Sequence, residues 1–163
     1  GIKGHNAELD DDRPEKGDEL FAQIEQIHQT ILEYKDEDLS EDELLSKEIA
    51  LYLLEFADNS KQFRYHNYPV NQLFGIQNGY PSFMEAQHQV NDIEDAENYL
   101  SRLEKVKVKF EQNLEGLKIR EEKGIIPPRF VIDRVLDEMT TFVETPIEEN
   151  ILYSSLNEKL KQR

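Results

Sequence analysis

The chain of 163 residues contains no cysteine, which excludes disulfides, thiolate metal sites and thiol catalysis while leaving both reducing and oxidising compartments open. It has no apolar run approaching the eighteen or so residues of a membrane span, so no transmembrane segment is expected. Basic residues are scarce beside acidic ones, 19 against 35, and the formal charge of −16 repels phosphate backbones and anionic lipid, so nucleic acid is an improbable partner. The opening "GIKGHNAELDDDRPE" lacks a basic n-region, an apolar h-region and a methionine, and reads as a segment of something longer from which any targeting signal has been removed. No alternation of strand type and no fixed-period repeat is present.

What is present is helical periodicity, and the fold class it predicts is all-α: an array of about five main helices with one long irregular loop over residues 62–82. Residues 1–13 form an acidic arm or loop, and 14–163 a single helical domain. From Pro14 to Tyr34, Leu20, Ile24, Ile27, Ile31 and Tyr34 recur at spacings of three and four, with Phe21, His28 and Leu32 alongside, which predicts a helix with one wide buried face. Ser40 followed by Glu43 is a capping box that opens a second helix, with Leu45, Ile49, Tyr52, Leu53 and Phe56 as its stripe. Pro69, Gly75, Gly79 and Pro81 then forbid an uninterrupted helix, and Ser82 is expected to cap a short one. Asn91 precedes a long helix to about Lys123, with a change of phase at Lys105 to Lys109 that suggests a kink. Gly124, Pro127 and Pro128 stop it. Further helices are expected from Pro128 and from Pro146.

Two Glu-x-x-His units, Glu25 with His28 and Glu85 with His88, place a carboxylate and an imidazole on one helix face, the spacing used in di-iron bundles. They are weak metal candidates: a di-iron site needs two further inward glutamates, and a half-buried histidine beside a solvated glutamate is the simpler account. His5 and His66 have no metal-ligand spacing to anything. Hydrolase, phosphate-loop and dinucleotide motifs are absent. Arg102, in "DAENYLSRL", lies beside the core line of its helix; it either pairs within the helix with Asp95 or Asn98 or clamps the neutral loop or a substrate carboxylate. The stretch Tyr68 to His88 is nearly free of charge and rich in aromatic and amide side chains, which singles out Tyr68, Asn71, Gln72, Phe74, Asn78 and Tyr80. Such a loop either lines a cleft or packs between helices with its amides satisfying turn backbone.

The order and spacing of "YPVNQLFGIQNG", "DAENYLSRL" and "GIIPPRFVIDRVL" resemble the bacterial domain of unknown function 885 family, most closely from Tyr65 to Leu160. That resemblance implies a large helical protein, often exported or lipid-anchored in the envelope, with the activity of a zinc-dependent peptidase or related hydrolase whose zinc ligands and general base lie in a later half. This chain carries no such motif, so no catalytic residue transfers to it and zinc is implied for the parent family alone. The expectation is a non-catalytic amino-terminal helical portion that packs against a catalytic half, with Tyr68, Asn71, Gln72, Tyr80 and Arg102 as candidates to line a peptide cleft. The alternatives are a free-standing helical interaction module and a carboxylate-bridged metal protein.

Overall fold

The helices begin and end where side chains answer orphaned backbone groups. In the computed structural model, which describes residues 3–161, Ser40 and Glu43 form the expected capping box: Glu43 Oε2 accepts from Ser40 N at 2.9 Å, and Ser40 Oγ accepts from Glu43 N. The long helix stops in a Schellman arrangement. Gly124 takes φ of 73°, its N–H reaches Glu121 O at 2.9 Å, and Ile125 N reaches Arg120 O at 2.8 Å. The helices are α1 (Pro14–Leu32), α2 (Glu41–Ser60), α3 (Ile76–Ala86), α4 (Ile93–Glu122), α5 (Arg129–Glu144) and α6 (Ile151–Lys161), and no strand occurs among the described residues. The chain is all-α, as its periodicity predicts. Among the described residues, no helix is long and apolar enough to cross a membrane.

Three boundaries differ from expectation. The irregular stretch ends at Gly75, because α3 runs through Gly79, Pro81 and Ser82. Pro81 forfeits one helical bond and crowds a carbonyl, at about 3 kcal/mol. Tyr80 and Met84, on either side of it and four residues apart, are 5% and 0% exposed, and burying each contributes about 1.5–3 kcal/mol, enough to offset that loss. The cap of α4 is Asp92 rather than Asn91: Asp92 Oδ1 accepts from Asp95 N at 2.9 Å. The last helix begins at Ile151, not Pro146. Asn150 Oδ1 there accepts from Leu152 N at 3.1 Å, while Pro146 opens the preceding turn.

The described residues form two compact units. One is Arg13–Asn67, in which α1 and α2 pack against each other. None of its residues is buried. The half-buried row of α1 is Phe21, Ile24, His28 and Ile31; Ile24 and Ile31 lie inward as the spacing predicts, but Leu20, Ile27 and Tyr34 are at least half exposed, because a single neighbouring helix covers only part of the wide apolar face. On α2 the half-buried row is Leu44, Ala50, Leu51, Leu54 and Ala57. The stripe expected to be inward on α2 is the exposed one, with Leu45, Ile49, Tyr52, Leu53 and Phe56 each more than half exposed. This helix is apolar on two faces, and one partner helix covers only one of them.

The other unit comprises residues 3–12 and 68–161. Its core is Tyr80, Met84, Val90 and Tyr99, with Leu9, Phe83, Leu103, Val106, Leu152 and Leu156 packed around it. Side chains tie its helices to one another's carbonyls: Tyr80 Oη donates to Arg102 O at 3.2 Å, Tyr99 Oη to Leu152 O at 2.8 Å, and Lys159 Nζ to Met84 O and His88 O at 2.8 and 2.7 Å. Lys159 thereby sits at the negative end of α3. The acidic arm is zipped along α4. Ser101 Oγ and Lys105 Nζ donate to Ala7 O, Lys109 Nζ and Asn113 Nδ2 reach Asp12 Oδ2 at 2.6 Å, and Leu9 enters the core cluster. These four α4 residues recur every four positions, so the phase change near Lys105 marks the row that the arm covers. The helix is one continuous element of 30 residues.

Two glycines of the neutral stretch are predicted to respond oppositely to alanine. A Cβ on Gly75 would lie 2.1 Å from Gln77 Oε1 and 2.6 Å from Asn71 N and O, whereas one on Gly79 would meet nothing within 4 Å. Gly75→Ala should destabilise by about 1–3 kcal/mol through overpacking. Gly79→Ala, inside α3, should stabilise by about 0.5–1 kcal/mol. Urea unfolding followed by helical circular dichroism measures both; equal midpoints for the two variants would contradict this packing.

Candidate functional site

The neutral stretch is largely consumed by its own turn. Asn71 Oδ1 accepts from Leu73 N and Phe74 N at 2.9 and 2.8 Å, Asn71 Nδ2 donates to Tyr68 O at 2.9 Å, and Asn71 O accepts from Gln77 Nε2 at 2.7 Å. Tyr68 and Phe74 point outward, 42% and 87% exposed, and Gln72 is half-buried. Tyr80 goes inward, where burial pushes its phenol up to about 12. Arg102 does not pair within its helix; it touches the neutral stretch near its end, at His88 and over the Phe83 ring, and its other donors go to the arm. Its Nε and Nη2 donate to Glu8 O and His5 O on the arm at 2.8 and 3.2 Å, and its Nη1 lies 2.6 Å from His88 Nδ1. Of the cleft candidates, the structure thus joins Tyr80 to Arg102 and Asn71 to Tyr68, as two separate pairs.

A cavity of about 560 Å³ opens between α3, α4, α5 and α6. Val106, Phe110, Met139, Phe142 and Ile151 give it an apolar wall, and Tyr80 contributes to its lining. At one side Glu138 Oε2 accepts from Asn78 Nδ2 at 3.1 Å and Gln77 Nε2 at 3.3 Å. Gln77 is 8% exposed and its Oε1 has no partner. Glu138 escaped the reading of the sequence, although the signal exists: with Val135, Met139 and Phe142 it completes an i, i+3, i+4, i+7 row on α5, an acid placed on the apolar face.

The whole chain, residues 1–163, matches the family model described as "Bacterial protein of unknown function (DUF885)". The chain belongs to that family. No curated protein and no solved structure matches it. In this DUF885 chain the two Glu-x-x-His units lie in different surroundings. Glu25 is exposed and His28 half-buried on α1, while Glu85 is exposed and His88 turns inward beyond the end of α3. Among the described residues no three His, Cys, Asp or Glu side chains come together to hold a metal ion. In both units the carboxylate faces outward while the imidazole lies more deeply buried.

His88 is instead a structural centre, 3% exposed. Arg102 has only donors, so Nδ1 accepts, and the remaining proton sits on Nε2, which donates to Asp95 O at 3.0 Å. The ring also stands edge-on to Tyr99, 5.1 Å between centroids. Burial is the main cause that lowers its pKa; the hydrogen bond to Asp95 O, the next largest influence, opposes it, and the nearby charges of Arg102 and Lys159 lower it further. Beside it, Lys3 Nζ meets Asp92 and Asp95, and Asp95 Oδ2 accepts from Asn91 N at 2.9 Å; hydrogen bonds from Lys3 lower both carboxyls.

An unfolded chain protonates this imidazole below about pH 6.5, and the folded chain does so only at lower pH. The contribution of His88 to stability is therefore complete above that value and declines as pH falls from about 6.5 towards the folded pKa. Asp92 and Asp95 add a second loss that begins only below about pH 4. Urea midpoints across pH 7.5 to 5 should fall for the native chain and stay flatter for His88→Gln; parallel slopes would contradict the assignment.

Proposed function

We propose that this DUF885 chain is a non-catalytic helical portion of a zinc-dependent peptidase or related hydrolase, a scaffold that packs against a catalytic half and contributes surface to its substrate cleft. The observation that carries this reading is the second apolar face of α2. Leu45, Ile49, Tyr52, Leu53 and Phe56 are exposed there, joined by Leu20, Ile27 and Leu32 on α1. Exposed apolar side chains in this number favour an interaction site, and a unit with no buried residue gains most from being covered. The occupant we assign is the remainder of the same polypeptide. In this reading zinc belongs to that remainder, as the family resemblance implies. The reading places the protein outside the cytoplasm, exported or lipid-anchored in the envelope, as the family resemblance implies.

The test uses the complete gene product. It should carry about one zinc per chain and hydrolyse peptides, and the pair Tyr52→Glu with Phe56→Glu should lower its thermal stability and activity together. Those positions are 70% and 68% exposed, so the same pair should leave the helical content of the isolated chain unchanged. A complete product without zinc or hydrolysis, or one indifferent to both substitutions, would overturn the proposal and favour a free-standing interaction module.

A further inference from the structure

We infer that the cavity between α3, α4, α5 and α6 is a binding site for a small apolar molecule that carries one ammonium group. It stands on the cavity alone and does not depend on a peptidase assignment. The cavity volume of about 560 Å³ lies in the range of pockets that enclose small organic ligands, and its wall is built by the five apolar side chains named above. Such a wall selects an apolar body but fixes no orientation, which requires a polar group at a defined place.

Glu138 is that group. It is half-buried, it faces the cavity, and among the described residues no Lys, Arg or His lies within ion-pair distance of it. Its two amide donors, from Gln77 and Asn78, both reach Oε2, so Oε1 is left to take a further donor. Two amides only partly replace water around a carboxylate set against apolar surface, and a cation there gains both Coulomb attraction and a charge-assisted hydrogen bond. The other charged side chains of the lining are Glu85 and Lys107. Lys107 is exposed and pairs with Glu111 at 3.8 Å one turn along α4, which leaves the local balance negative. An anionic ligand would meet two carboxylates, a neutral one would leave Glu138 without its counter-charge, and an apolar ammonium matches both halves of the site.

Hexylamine and hexan-1-ol are the probes, alike in body and different in charge, titrated calorimetrically at neutral pH. Hexylamine should bind at least about tenfold more tightly, the loss expected for one charge-assisted hydrogen bond, and Glu138→Gln should abolish the preference. Amide shifts of the native chain give a readout independent of how the variant folds, with Asn78, Glu138 and Ile151 expected to move on titration. Phe-Ala with a free amino terminus, against its N-acetyl form, separates the two natural sources of such a group. A matching preference assigns peptide amino termini, and binding of hexylamine alone assigns simple amines. Equal binding of the two probes, no binding at millimolar concentration, a preference that survives Glu138→Gln, or shifts confined to other helices would each overturn the site.

Discussion

The unit built on α3 to α6 depends on a buried imidazole that has to remain neutral. His88 takes a hydrogen bond from Arg102 on one nitrogen and gives one to Asp95 O from the other, with Tyr99 against its edge. Arg102 carries the consequence outward, because its remaining donors hold His5 O and Glu8 O of the arm. One guanidinium therefore joins α4, the end of α3 and a segment almost a hundred residues away in sequence. Removing either partner would strand a buried donor or acceptor, which costs more than an ordinary hydrogen bond contributes.

Around that centre the same economy recurs: long polar side chains from one helix satisfy backbone carbonyls of another. Tyr80, Tyr99 and Lys159 each do so, and each keeps its apolar stem or ring in the core. The unit of α1 and α2 is built differently. It has no fully buried residue, Arg64 and Lys47 reach the carbonyls of Pro14 and Tyr34 from its periphery, and its second helix is apolar on two faces. The first kind of packing specifies a shape by itself, and the second leaves one apolar face of α2 uncovered.

Features encoded within a few residues were legible in the sequence. Ser40 with Glu43 and Gly124 before two prolines each act through bonds to their immediate neighbours, and each stands where spacing placed it. Features decided by tertiary contact were not. Pro81 reads as a breaker until the burial of Tyr80 and Met84 is known, and the inward face of α2 cannot be chosen when two faces are apolar. Arg102 drew notice as a polar residue beside a core line, but its partners come from the arm and from beyond α3, and no local pattern names them. Asn71 looked available to a ligand because its amide is polar; the turn it closes uses both of its polar atoms.

The central claim, that His88 is a neutral, structural imidazole locked between Arg102 and α4, is tested most directly by nitrogen-15 NMR of the histidine side chains across a pH titration. The account predicts a proton on Nε2, an unprotonated Nδ1 that accepts from Arg102, and titration displaced below the ordinary histidine value of about 6.5. A ring that exchanges between tautomers and titrates at or above that value would contradict it, and with it the role of Arg102 as the tie between arm and core.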